Sequence, residues 1–198
     1  GAVLAPWPNR LADGRYVFDG VEHQLPVNET ETGNAAHGLV AWLDFERVSG
    51  APGRLMLRSR IEPQPGYPWR VRVDVQFELG RDGLRQQVSA TNESASAAPV
   101  GLGGHPYLVA GDWRENAVDD WTLLSPAREV LVVSEDRLLP VASADVTEYA
   151  DGALDFQSAR RVGETVLNHA FSGLRADADE QVSVSLVDGD GRGVELSW

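Results

Sequence analysis

The stretch WRVRVDVQFELGRDGLRQQVSA, residues 69–90, alternates apolar and polar residues with a period of two. Val71, Val73, Val75, Phe77 and Leu79 hold one set of positions, and Arg70, Arg72, Asp74, Gln76 and Glu78 hold the other. Successive side chains of a strand point to opposite faces, so this spacing predicts a strand with one dry face. The segment GRDG at 80–83 turns the chain, and Leu84, Val88 and Ala90 resume the alternation on the way back. The reading is a long antiparallel hairpin.

The same period recurs on both sides of it. RYVFDGVEHQL, residues 15–25, reads as a second hairpin turning at Asp19-Gly20, because glycine supplies the positive φ that a tight turn wants. QVSVSLVDGDGRGVELSW, residues 181–198, reads as a third, with Val182, Val184 and Leu186 facing Val194, Leu196 and Trp198. Shorter strands are predicted at 42–48, 54–61, 121–124 and 129–133. Helical periodicity is nearly absent, with a turn or two expected within 143–151 or 158–163. Twenty glycines and eleven prolines punctuate the chain at the spacing of a sandwich or barrel rather than of βαβ units. The fold class is therefore all-β, in one domain over residues 1–198. The abrupt start and the third hairpin, which stops in its return strand, lead us to expect further N-terminal and C-terminal portions.

Composition narrows the function classes. Thirty acidic against 17 basic residues give a net charge of −13, which argues against nucleic acid and anionic membrane as partners. There is no cysteine, so thiolate metal sites, disulfides and cysteine nucleophiles are excluded. No apolar run approaches the roughly 20 residues that span a bilayer, and no secretory pattern appears. A cytoplasmic location is the expectation. The histidines show neither H-x-H nor H-E-x-x-H spacing, so no metal site is predicted. There is no G-x-S-x-G elbow, P-loop or dinucleotide fingerprint in context.

Four histidines remain to be weighed: His23, His37, His105 and His169. Alternation puts His23 on the polar face of its hairpin. His37 lies in GNAAHGL, and His105 in GLGGHPYL, residues 101–108, between glycines and a proline. Glycine allows close backbone approach and proline biases its predecessor toward extended geometry. Such constraints aim a side chain, although a hydrogen-bonded loop histidine is the plain alternative. Arg10, in PWPNR, is read either as a surface ion pair or as a polar contact for a ligand. Loop histidines, an arginine, amides and aromatics on a β scaffold suit a neutral polyol. The tryptophans are read as core residues rather than sugar platforms.

Taken together, PWPNRLADGRYVFDGVEHQLPVNE, NAAHGL, GGHPYL and LNHAF resemble the aldose 1-epimerase (galactose mutarotase) family over essentially the whole chain. The N-R-x-x-x-G-x-Y-x-F-x-G block and the H-P-Y turn carry the resemblance in combination. It implies a large antiparallel β-sandwich that interconverts the α and β anomers of a free aldose such as glucose or galactose, without a cofactor. It further implies His105 as the acid that protonates the ring oxygen, with His37 as the second histidine. Arg10, Asn9, Asn168 and Tyr107 are implied as sugar contacts. Asn168 stands where the family usually has an aspartate, and an amide loses the charge assistance of a carboxylate. The family's basic glutamate is expected downstream of residue 198, and Glu195 falls in the wrong element. The alternative is a non-catalytic carbohydrate-binding or sensor module on the same fold. A hexose-6-phosphate epimerase relative would need a basic cluster that Arg10 and Arg15 do not make. The sequence carries no indication of oligomeric state.

Overall fold

A computed structural model describes all residues, Gly1–Trp198. Strands and loops dominate, and the only helical elements are three short 3₁₀ turns at Val40–Trp42, Ala117–Asp120 and Tyr149–Gly152. No helix is long and apolar enough to cross a membrane. The chain divides into two compact units, Gly1–Pro106 and Tyr107–Trp198.

In the first unit the long hairpin is the central feature. Val71–Gly80 pairs with Gly83–Asn92 from Val71↔Asn92 to Gly80↔Gly83. Arg54–Ile61 and then Glu46–Ala51 extend the sheet on the other side of Val71–Gly80. The expected dry face is dry at its base: Val71, Val73 and Val75 are at most 2% exposed. At the hairpin tip the pattern persists without burial, since Leu79 and Leu84 are each 65% exposed. Alternation sets which way a side chain points, and a second layer decides whether it is covered. The polar face of this sheet carries an ion network in which Asp74 accepts from Arg58 at 2.6 Å and Arg72 at 3.0 Å. Arg72 and Arg60 both reach Glu93, at 3.2 and 3.3 Å.

The dry face packs on Ala5, Leu25, Ala35, Val40, Ile61, Tyr67 and Trp69. The second hairpin, Arg15–Phe18 with Val21–Gln24, lays Tyr16 and Phe18 against that core. The polar placement expected of His23 is corrected here. Its ring is half-buried, stacked on Tyr16 at 5.0 Å and tilted against Trp69 at 5.0 Å. Val17, on the opposite face, is exposed, and so is Val21 at the turn, although it pairs with Phe18. The aromatic residues Tyr16 and Phe18 select the inward face of this hairpin, and His23 pairs directly with Tyr16 across it.

In the second unit the third hairpin has the predicted register, with Val184↔Leu196 and Leu186↔Val194. It joins Thr122–Leu124 and Arg160–Arg161 in a four-stranded sheet. A three-stranded sheet of Pro140–Asp145, Glu129–Val133 and Phe171–Ser172 encloses Val130, Val146 and Leu154. Of the expected helical turns, Tyr149–Gly152 is present, whereas the 158–163 region has no helix and holds the two-residue strand Arg160–Arg161. The strand expected at 42–48 begins later, at Glu46, because Val40–Trp42 is a 3₁₀ turn. An apolar cavity of about 340 Å³ in this unit is lined by residues including Leu123, Phe156, Phe171, Val184 and Trp198. No titratable side chain lines it, so it offers no acid or base. Trp69 is buried, but Trp42 and Trp113 are 89% and 90% exposed.

Candidate active site

Two short strand pairs in the first unit bring Asn9, Arg10, His37 and His105 together. Arg10–Ala12 pairs with Asn34–Ala36, in register Arg10↔Ala36. One residue further on, the His37 amide donates to the Asn9 carbonyl at 2.8 Å. Ala2–Leu4 pairs with Gly103–His105, placing Ala2 opposite His105. The glycine run before His105 has a packing reason. A Cβ on Gly103 would stand 3.1 Å from Pro8 Cβ, a tight contact, so glycine lets the PWP loop cross closely here.

The result is an edge-to-face pair of imidazoles. The His37 and His105 rings lie 5.7 Å apart, at 76° to each other. His37 is half-buried and His105 exposed. His37 Nδ1 is buried without a hydrogen-bond partner in the protein. Such atoms are rare in native structures, and this one is able to share a hydrogen bond with a hydroxyl or water that reaches it. Burial, the neighbouring His105 and the Arg10 charge all hold the His37 pKa below the ordinary histidine value, and Glu29 opposes them. A neutral imidazole can accept or donate a proton-sharing hydrogen bond near neutrality.

Arg10 is held as an ion pair, one of its two sequence readings. Its Nε donates to Glu29 Oε2 at 2.7 Å and its Nη2 to Glu29 Oε1 at 2.9 Å, a two-point contact. Its Nη1 donates to Asn9 Oδ1 at 3.3 Å. Arg10 and Glu29 side chains are 20% and 29% exposed. The Arg10 guanidinium, helped by Thr32 and Asn34, pulls the Glu29 carboxyl down to about 2. Asn34, fully buried, donates to Thr32 Oγ1 at 3.0 Å, and Thr32 donates to Glu29.

Glu29 and Asn28 are the functional residues that sequence reasoning passed over, although both lie in the quoted PVNE block. Asn28 acts on the backbone just before His37. Its amide donates to the Ala36 carbonyl at 3.0 Å and its oxygen accepts the Ala36 N–H at 2.7 Å. In an antiparallel ladder alternate residues point their N–H and C=O away from the partner strand. Because His37 bonds to Asn9, Ala36 is such a residue, and Asn28 satisfies both of its outward groups. The available clue was an Asn-Glu step eight to nine residues ahead of a histidine followed by glycine. Replacing Asn28 by alanine strands both groups and should lower stability by about 1–2 kcal/mol. In thermal unfolding that is a drop of about 3–6 °C. A midpoint unchanged within error would show that Asn28 clamps nothing.

The pH dependence follows from the two shifted groups. Glu29 has its folded-state pKa depressed to about 2, so its stabilisation is present above the ordinary carboxylate range. It is lost as pH falls toward about 2. His37 is also depressed, so the unfolded chain takes up a proton first as pH drops below its ordinary value. Both effects weaken the fold on the acid side. After allowance for solvent screening, Glu29 should contribute about 1–2 kcal/mol at neutral pH. The unfolding midpoints of wild type and Glu29→Gln should therefore converge between pH 5 and pH 2; a constant gap would show that the pairing carries no charge component.

Asn168 and Tyr107 belong to the second unit. Both are exposed, Tyr107 at 78%. His169, beside Asn168, sits 5.9 Å from the Tyr149 ring with its Nδ1 buried and without a protein partner.

Comparison with known proteins identifies the fold and the family. The sequence pattern of the family Aldose 1-epimerase matches residues 1–197. The chain is 34% identical over 173 residues to the uncharacterized protein YihR of Escherichia coli strain K12, covering 86% of this chain and 54% of that one. It is 30% identical over 180 residues to the galactose mutarotase of Homo sapiens, covering 88% and 50%. Among solved structures, an aldose epimerase homologue from C. elegans superposes with a TM-score of 0.76 at 20% identity, over 98% of this chain and 60% of that one. A galactose mutarotase-like protein from Clostridium acetobutylicum gives a TM-score of 0.73 at 18% identity, over 96% and 58%. The fold is thus the antiparallel β-sandwich of galactose mutarotase-like proteins. The chain spans about half the length of the curated relatives it matches. With residues 1–197 of its 198 inside the family's pattern, the chain belongs to the aldose 1-epimerase family.

Proposed function

We propose that the site binds a free aldose and supplies the acid side of anomer interconversion. The observation that carries this reading is the His37–His105 pair, aimed by glycine-constrained turns beside the ion-paired Arg10. In the proposed reaction a base takes the C1 hydroxyl proton while His105 protonates the ring oxygen. The C1–O5 bond breaks, C1 becomes an aldehyde, and rotation about C1–C2 exposes its other face. Reclosure returns both protons and gives the other anomer. Histidine suits the acid role because it can give and retake a proton near neutrality. His37 accepts or donates to a hydroxyl near the ring oxygen. Arg10, Asn9, Asn168 and Tyr107 are the proposed hydroxyl contacts.

One observation favours the second reading, a binding module without turnover. Glu29 is the carboxylate whose charge reaches His37, and a group held at about 2 by an arginine is a poor base. No residue of 1–198 is assigned the base. Polarimetry of freshly dissolved α-D-glucose and α-D-galactose separates the readings. Accelerated mutarotation that disappears in His105→Ala supports the epimerase. Sugar binding without acceleration puts the base outside residues 1–198, and the same assay on the full-length protein then decides: acceleration there supports the epimerase, and its absence supports the module.

A further inference from the structure

We propose that Glu29 is a specificity-determining residue: it closes Arg10 into a neutral ion pair, reserving the site for uncharged sugars while fixing the donors that meet them. The inference rests on the reading of the histidine pair as a sugar site.

The geometry gives the reason. A guanidinium carries five N–H donors, and three of those on Arg10 are committed, two to Glu29 and one to Asn9. The two left over can donate to neutral hydroxyls without disturbing the pair. A sugar carboxylate or phosphate would instead compete with Glu29 for the two-point face of the guanidinium, which is the strong contact. Glu29 is not free to yield. Thr32 and Asn34 hold its Oε2, and its own backbone exchanges hydrogen bonds with Asn34 at 3.0 and 3.1 Å. Asn34 lies fully buried and leads within three residues to His37. An anion would therefore have to displace a carboxylate that is anchored through the same loop that carries the imidazole. The titration of His37 fits this account, because the Arg10 charge lowers it and the Glu29 charge raises it.

The test compares D-galactose and D-galacturonate, which differ at C6 by a hydroxymethyl against a carboxylate. Binding is followed by NMR shifts of wild type, Glu29→Gln and Glu29→Asp, with the His37 ring titration recorded on each. Wild type should bind galactose at least tenfold more tightly than galacturonate. Glu29→Gln should reduce that preference at least tenfold, and the gain in galacturonate binding should shrink with added salt. Glu29→Asp, which keeps the charge, should retain the preference in part. The His37 midpoint should move to lower pH in Glu29→Gln, where Arg10 is left uncompensated. A galactose-to-galacturonate ratio in Glu29→Gln within twofold of wild type would overturn the proposal. If wild type binds neither sugar, the sugar-site reading fails and the His37 titration judges Glu29 on its own: a lowered midpoint upholds its neutralising role, and an unmoved one overturns it.

Discussion

Gly38→Ala should be the most destabilising single-methyl change in the histidine region, at about 3–5 kcal/mol. Two costs combine. Gly38 sits at φ +75, where any L side chain is strained by about 1–2 kcal/mol. Its added Cβ would also stand 2.1 Å from the Ala5 carbonyl oxygen and 2.4 Å from its carbon. That oxygen is already committed, accepting from Leu39 at 2.6 Å and Val40 at 3.2 Å. Ala5 and Val40 are fully buried, so the backbone has no room to retreat. For a chain of this size the loss should lower the unfolding midpoint by about 10 °C. Gly20→Ala is the control. It shares φ +75, yet nothing lies within 4 Å of its Cβ, so it should show the conformational cost alone, about 1–2 kcal/mol. Equal losses in the two variants would mean that the contact between Gly38 and Ala5 is not what holds this turn.

The contrast between these glycines also shows what sequence can carry. Period-two alternation is a local property, and it located the three hairpins, with register recovered to the residue in the third. It also marked Val71, Val73 and Val75 as core. It misjudged His23 because the face a hairpin turns inward is chosen by what packs on it: cross-strand pairing with Tyr16 puts His23 on the face that Tyr16 and Phe18 lay against the core. The short strands Ala2–Leu4, Arg10–Ala12 and Asn34–Ala36 were invisible for a related reason. Three residues show no period, and these strands exist because a distant partner closes a ladder. The site behaves in the same way. His37, His105, Asn9 and Arg10 stood out through glycine, proline and motif, and the fold brings them together. Asn28 and Glu29 did not stand out. Their roles are a clamp on Ala36 and an ion pair to Arg10, 19 residues away, and a pairing across strands leaves no trace in spacing.

His105→Ala should have the largest effect on chemistry. If His105 gives the proton to the ring oxygen, its removal should lower kcat by about 10²–10⁴ with KM changed only a few-fold. Its side chain is exposed, so the unfolding midpoint should stay within about 2 °C. His105→Gln should be no better, because an amide can hold the ring oxygen by a hydrogen bond but has no proton to transfer near neutral pH. A few-fold loss of kcat in both variants would move the acid elsewhere and leave His105 a sugar contact. The imidazole pair provides a second measurement that needs no turnover. His105 is among the groups that hold the His37 pKa down, after burial and ahead of Arg10. Removing it takes away a positive charge that competes with protonation of His37, so the His37 midpoint should rise in His105→Ala. That is opposite in sign to the Glu29→Gln shift, where a negative charge is lost. Two substitutions on either side of one imidazole, moving it in opposite directions, would place His37 between an acid and a neutralised cation. If both variants left its titration unmoved, the 5.7 Å pairing of the rings would carry no electrostatic coupling, and the acid role of His105 would have to rest on kinetics alone.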